Sequence, residues 1–389
     1  MVGIMLQRIL GQERIFEHLR SLISEGRGAG SYLFTGMRGV GKWAYGFLFA
    51  AAFCCEDERQ KPCGRCRSCQ AAQRFAHPDL QILFPFPNLE ASKKKVTVFQ
   101  FSDPVSGTKF SEATGAEVNR FLQEKAEDPF RMVRFEGKPN IPVEVLRDLR
   151  KFLRFSPMWG GNRAVLISDI ENMAHGSADI FLKTIEEPPS NTAIILTTSY
   201  PEKLPATVLS RCRVFTFQSV DEQRIREYLK LYFGGEKLDY RFIERASRFC
   251  PGMARALIEE NASELRDVLL GMMSAAARGE YYFERSLGKN EPDFNVGGAG
   301  LNAVTLMGWI IRDIIVMRSG GNVDDIINCD RAEIMSGLAN RLSVERAERF
   351  LGEINNIKLA CQLSNVMPIT AFRHLLTLIK REFAKPSIS

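Results

Sequence analysis

Gly36-Met37-Arg38-Gly39-Val40-Gly41-Lys42-Trp43 follows the apolar run Tyr32-Leu33-Phe34 and leads into Ala44-Tyr45-Gly46-Phe47-Leu48-Phe49-Ala50-Ala51, a segment of helical character. A strand, a loop of the form G-x-x-x-x-G-K and a helix make the phosphate-loop arrangement. There Gly36, Gly39 and Gly41 let backbone N–H groups approach phosphate oxygens, and Lys42 adds a positive charge. The position after the lysine normally supplies a Ser or Thr hydroxyl to a magnesium ion, and Trp43 has no oxygen to offer. Lys42 therefore either holds a nucleotide phosphate without hydrolysis or persists in an empty loop plugged by the Trp43 indole.

Further along, Arg163-Ala164-Val165-Leu166-Ile167-Ser168-Asp169 is an apolar strand ending in a carboxylate, where phosphate-loop enzymes place the acid that holds magnesium. The glutamate that orients the attacking water in related hydrolases is replaced by Ile170. Glu171, one residue later, is expected to point elsewhere because successive side chains diverge. A helix through Ala178–Ile185 stops at Glu186-Glu187-Pro188-Pro189, since proline cannot continue it. The apolar strand Ala193–Leu196 ends in Thr197-Thr198, and Leu204–Cys212 precedes another strand, Val214–Phe217. Strands of nearly continuous apolar character alternating with helices predict an α/β domain whose parallel sheet is covered on both faces.

The chain has 389 residues, 45% hydrophobic and 25% charged, with a formal net charge of +6. That length predicts about two or three domains, and the mildly basic balance fits a solvated surface as well as a polyanionic partner. With no apolar run of about 18 residues and no signal-like N-terminus, a cytoplasmic protein without a membrane contact is expected. Of its nine cysteines, five lie between Cys54 and Cys69. Cys54, Cys63, Cys66 and Cys69 can converge on one ion, because two C-x-x-C steps make the sharp turns that tetrahedral zinc requires. Cys55 is the rival for the first ligand, and free thiols or a redox pair are the other readings. Four thiolates leave no open coordination position, so the zinc is read as structural. His77, before Pro78, reads as a turn residue.

Residues 14–23 have helical spacing. Residues 87–140 break from the surrounding pattern and read as an insertion with a solvated Lys93-Lys94-Lys95 turn, a strand at Val96–Phe99 and a helix near Ala116–Gln123. Helical periodicity returns at Ile141–Leu153. Past Ser219 the pattern is helical, with a short group over 221–275, a linker over 277–300 and amphipathic helices beyond, among them Val304–Arg318 and Val344–Cys361.

The phosphate loop, the cysteine insertion behind it, Leu182-Lys183-Thr184-Ile185-Glu186-Glu187-Pro188-Pro189 and Leu209-Ser210-Arg211-Cys212 occur in the order seen in bacterial DNA polymerase III clamp-loader subunits. The chain resembles the delta-prime kind more closely than the gamma/tau kind, over about residues 5–86 and 141–260. The match is looser through Leu363–Pro368 and absent from 87–140. The resemblance implies an AAA+ core over residues 1–219, a small helical lid over 220–276, and a linker with a helical collar over 277–389 that packs into a pentamer.

By the same resemblance, Gly36, Gly41 and Lys42 match the phosphate loop, Asp169 the magnesium-binding acid, Thr198 the first sensor and Arg255 the second. Arg211 matches the arginine that such subunits extend into a neighbour's ATP site, and Cys54, Cys63, Cys66 and Cys69 match the zinc module. Each has a plainer reading: Arg211 as a surface ion pair, Arg255 as a partner of Glu259 one turn on, Thr198 as a satisfier of backbone groups. Trp43 and Ile170 remove hydrolytic parts and leave the donated arginine.

The reading that follows is a clamp-loader subunit that does not hydrolyse ATP itself, whether or not ATP or ADP binds its own loop. It would complete a neighbour's site alongside gamma/tau-type and delta-type subunits, the sliding clamp and primer-template DNA. The alternatives are an active gamma/tau-type ATPase and a stand-alone zinc-ribbon reader of nucleic acid. The last is disfavoured because the cysteine knot lacks stacking aromatics in its own loop.

Overall fold

A computed structural model describes residues 11–85, 112–133, 135, 139–159, 161–173, 177–234, 238–280, 303–363 and 368–383. The Lys93–Lys95 turn, the Val96–Phe99 strand, most of the 277–300 linker and Ser364–Met367 lie outside the described residues. In chain order the first elements are α1 (Glu13–Ser24), β1 (Gly30–Gly36), α2 (Lys42–Phe53), α3 (Arg67–Gln73), β2 (Leu80–Leu83) and α4 (Glu112–Glu127). There follow α5 (Val143–Phe152), β3 (Arg163–Ile167), α6 (Ser177–Glu186), β4 (Thr192–Thr198), α7 (Ala206–Leu209) and β5 (Arg213–Phe217).

The five strands form one parallel sheet in the order β2-β3-β4-β1-β5. Strands β2, β3 and β4 are buried at every residue, which is why their sequences are largely apolar instead of alternating. The edge strand β5 is more exposed. Strand β1 lies between β4 and β5, with Thr35 opposite Thr198 and Gly36 opposite Phe217. The glycine loop, Asp169 and Thr198 therefore leave the sheet at the same carboxyl edge, where open α/β sheets gather their ligand groups. The short strand β2 was not legible in the sequence, because four residues after His77-Pro78-Asp79 are too few to show a period.

The chain divides into two compact units: Met1–Tyr228 with Cys250–Gly252, and Leu229–Phe249 with Met253–Ser389. Helix α8 (Glu222–Phe233) and α10 (Pro251–Glu259) run through the division, and α9 (Tyr240–Ala246), α11 (Ala262–Ala277), α12 (Ala303–Arg318), α13 (Ala332–Ala339), α14 (Val344–Leu363) and α15 (Pro368–Phe383) belong to the second unit. In that helical unit a buried Arg266 donates to Asp330 Oδ1 at 2.9 Å and to Asp239 Oδ2 at 3.2 Å, with its guanidinium 4.1 Å from the Phe242 ring centroid. Helix α12 packs against α14 and α13.

In the first unit a buried ion pair ties β2, β3 and the loop after α5. Asp79 accepts the N–H groups of Met158 at 2.7 Å and Trp159 at 2.9 Å, and Arg163 Nη2 stands 3.8 Å from it. Arg163 in turn donates to the carbonyls of Phe152 and Phe155. Removing one partner strands the other charge in a dry interior. Asp79→Ala is therefore expected to lower stability by about 3–5 kcal/mol in a denaturant titration. Asp79→Asn, which keeps acceptor capacity, is expected to lose less.

Candidate functional site

The phosphate loop begins at Gly36, whose φ of +141° and close approach to Phe217 leave no room for a side chain: a Cβ there would lie 2.5 Å from the Phe217 carbonyl oxygen. Gly41, at φ +106°, caps α2 in the left-handed region that favours glycine. Lys42 is buried and turned back onto its own loop. Its Nζ donates to the carbonyls of Gly36 at 2.8 Å and Met37 at 2.9 Å and to Ser199 Oγ at 3.0 Å. Burial pulls its pKa down to about 8 against the opposing pull of Asp169 and Glu171. Trp43 stacks on Phe47, one turn along α2, with ring centroids 5.4 Å apart and planes 2° from parallel.

Asp169 follows β3 with φ +50°, and Ile170–Asn172 form a single 3-10 turn. After that left-handed step Glu171 turns to the end of β4. Its Oε1 accepts the Ser199 N–H at 3.2 Å, and its Oε2 is buried without a hydrogen-bond partner. Burial, and then the charge of Asp169, raise its pKa. Glu171 thus stands beside the end of β4, next to the hydroxyl that Lys42 reaches. Asp169 lines a cavity of about 90 Å³ together with Gly39, Gly41, Lys42, Thr197 and Ser199. Thr198 does not line it; its hydroxyl accepts the Tyr200 N–H at 3.0 Å.

Arg211 stands at the turn after α7. Its Nε and Nη2 make a two-pronged pair with the Glu186 carboxylate, both at 3.1 Å, and Nη1 donates to the Thr207 carbonyl at 3.1 Å. Glu186 is the first acid of the Glu-Glu-Pro-Pro stop, so the two sequence motifs meet here. Arg255, in the second unit, donates to Glu259 at 2.9 Å and lies over the Tyr232 and Phe233 rings.

The cysteine cluster corrects one ligand. Cys55, Cys63, Cys66 and Cys69 have sulfurs all within 4.8 Å of one another. Cys54 is not in the cluster, because it continues the helical turn of α2 as its C-cap and its thiol is buried, which raises its pKa. Cys55 is one helical step further round and faces the loop. The Cys55–Cys66 and Cys63–Cys69 sulfur separations of 3.8 and 3.9 Å approach the ~3.8 Å edge of a tetrahedron with ~2.3 Å zinc–sulfur bonds. Backbone N–H groups of Cys63, Cys66 and Cys69 point at sulfurs of Cys55, Cys63 and Cys66, which favours thiolates. These residues fit a structural zinc ion.

His77 is not a loose turn residue. It is buried, its Nε2 lies 2.7 Å from Ser68 Oγ, and its Nδ1 accepts the Asp79 N–H at 3.0 Å. Nε2 is therefore the protonated nitrogen, and Ser68 passes its own proton toward the Cys54 carbonyl at 2.6 Å. The chain of contacts fastens the cysteine module to the sheet.

A family model described as DNA polymerase III, delta subunit matches residues 11–221, more than half of the chain. The chain belongs to the DNA polymerase III delta-subunit family. Among relatives, the chain is 24% identical over 346 residues to DNA polymerase III subunit delta' of Escherichia coli, covering 88% of this chain and 86% of that one. It is 27% identical over 273 residues to DNA polymerase III subunit tau of the same organism, covering 70% of this chain and 33% of that one. The matched part therefore spans about a third of the tau relatives' length. A Thermotoga maritima gamma subunit-related protein of solved structure aligns with a TM-score of 0.43 and 18% identity, over 95% of this chain and 99% of that one.

This delta-subunit family member has an α/β core with a parallel sheet, an inserted four-cysteine cluster and a helical C-terminal region. Among its described residues no helix is long and apolar enough to cross a membrane. Sequence reasoning missed Ser199 and the residues of α4 at the phosphate loop. Ser199 lies beside a motif position, but nothing in the 112–133 stretch resembles a known motif.

Zinc content measured on variants of this family member is expected to fall in Cys55→Ser and to stay at one ion per chain in Cys54→Ser. His77 supplies a pH test. Burial lowers its pKa from 6.5 to about 4, so the stability it preserves is complete above pH 6.5 and is lost as pH falls through 4. Denaturant titrations of wild type and His77→Gln are expected to show a stability difference that shrinks by on the order of 2–3 kcal/mol between pH 7 and 4.

Proposed function

We propose that the chain is a delta-prime-type subunit of the DNA polymerase III clamp loader, working in the cytoplasm, that completes a neighbour's ATP site with Arg211 and does not hydrolyse ATP on its own loop. The observation that carries this reading is the contrast between the two halves of the machinery. Arg211 is presented at the surface with its fork formed and held by Glu186, whereas the loop has a tryptophan in place of the magnesium-binding hydroxyl. An exposed pair of this kind is worth about 0–1 kcal/mol, so exchanging Glu186 for a neighbour's phosphate costs little. A guanidinium so donated contributes on the order of a thousandfold or more in phosphoryl transfer.

In this reading the partners are gamma/tau-type and delta-type subunits, with the sliding clamp and primer-template DNA engaged by the assembly. Residues 1–219 act as the core, 220–276 as a lid and 277–389 as linker and collar. Gly36, Gly39, Gly41, Lys42, Asp169, Thr198 and Arg255 are then remnants of a nucleotide site. Zinc on the cysteine module is structural, because four thiolates close the coordination sphere. The other reading, a gamma/tau-type ATPase, needs a carboxylate facing the nucleotide, whereas Glu171 accepts the Ser199 N–H and does not line the cavity at the loop.

Steady-state ATPase measurements separate the two. The purified chain is expected to show no turnover. The complex reconstituted with its partners, clamp and primed DNA is expected to lose at least tenfold in rate with Arg211→Ala while assembling normally by gel filtration. Turnover by the chain alone, or a complex indifferent to Arg211→Ala, would contradict the donor role.

A further inference from the structure

Residues Phe121 to Val133 lie in the stretch that no motif explains, yet they reach the phosphate loop. Helix α4 sets Phe121 edge-on to Trp43, with ring centroids 6.0 Å apart at 82°, and stacks it on Phe84 at 3.7 Å. One turn on, Lys125 Nζ lies 4.6 Å from the Trp43 ring centroid, within the range of a cation–π contact. Lys125 is buried, and the same ammonium donates to the Pro129 carbonyl at 3.3 Å and the Arg131 carbonyl at 2.5 Å, which fixes the turn after α4. Asp128, also buried, accepts the Phe130 N–H at 2.9 Å and the Tyr228 hydroxyl at 2.6 Å.

Phe130 then packs on the loop itself. A Cβ at Gly41 would lie 2.6 Å from Phe130 Cε1, and one at Gly252 would lie 2.3 Å from the Phe130 carbonyl oxygen. Gly252 donates its N–H to the Gly39 carbonyl at 2.9 Å. The Phe130 position is thus enclosed by glycines of the loop on one side and by Gly252 on the other. What remains is a cavity of about 90 Å³, whereas pockets for small ligands measure roughly 300–1,000 Å³.

We propose that Phe121–Val133 is an internal occupant of the phosphate-loop site, seated on Trp43, that keeps nucleotides out. Three features that look unrelated in the sequence then have one cause. Trp43 replaces an oxygen because its ring is the platform for Phe121 and Lys125. Lys42 turns to the loop carbonyls because no phosphate reaches it. Gly41 and Gly252 are small because Phe130 stands between them. An occupant fixed within the same chain competes with a nucleotide at an effective concentration in the millimolar range or above. The proposal goes beyond the donor reading and does not depend on Arg211.

The test is binding of mant-ATP with magnesium to the full chain, followed by fluorescence. Wild type is expected to show no saturable binding below about 1 mM, whereas Phe130→Ala, which clears the Gly41 face, is expected to bind at least tenfold more tightly. Should Phe130→Ala fail to melt cooperatively, Phe130→Val takes its place. On wild type, hydrogen exchange at residues 121–133 is expected to be unchanged by 5 mM magnesium ATP. Saturable wild-type binding, loss of protection at 121–133 on adding ATP, or a folded variant that binds no better than wild type would each overturn the proposal. Wild-type binding without turnover would overturn it and leave the donor reading standing. An effect of Arg211→Ala on the complex bears only on the latter.

Discussion

A glycine-rich loop at the end of a central strand presents backbone carbonyls and N–H groups that water or a ligand must otherwise satisfy, and the rest of this core is arranged around how that demand is met. Here Lys42 meets the carbonyl part of it from within, by donating to Gly36 and Met37, and ties the loop to Ser199. An ammonium with three partners tolerates burial that an unpaired one does not. The lysine that would bind a phosphate is thereby a strut between β1 and the end of β4. The loop keeps its shape because the sheet needs it: Gly36 is pressed against Phe217, and Gly41 starts α2.

That arrangement separates two properties that travel together in an ATPase. Hydrolysis needs a hydroxyl on the metal, an oriented water and room for the nucleotide. Donating an arginine needs only a rigid turn at the surface. The Glu-Glu-Pro-Pro stop supplies the rigidity: proline ends α6, and Glu186 at its last position receives the Arg211 fork. The cysteine module contributes in the same way, as a brace. Ser68, His77 and Asp79 carry its position into β2 and β3, so a metal at Cys55, Cys63, Cys66 and Cys69 would stiffen one edge of the sheet.

Most of the core was legible in the sequence because its strands are short apolar runs bounded by Gly, Asp and Pro, and its helices carry clear stops. The glycine loop and the cysteines were found through spacing, Asp169 through its place at the end of an apolar strand, and Arg211 through the family resemblance. What was not legible had physical reasons. Strand β2 is too short to show a period. Cys54 and Cys55 are adjacent, and only the phase of α2 decides which thiol faces the loop. Glu171 is brought to β4 by the left-handed backbone of Asp169, a conformation that no residue type announces. Lys125 and Phe130 are distant in sequence from Trp43 and Gly41, which they meet at the loop, and ordinary residue types in ordinary contexts give no signal of long-range packing.

The structure of the assembled complex with an ATP analogue bound tests the separation of roles most directly. The account predicts that Arg211 has left Glu186 and donates to the phosphates of a nucleotide on the neighbouring subunit, while Lys42 of this chain still donates to Gly36 and Met37. A nucleotide on Lys42, with Glu171 facing it and Arg211 still paired to Glu186, would contradict it.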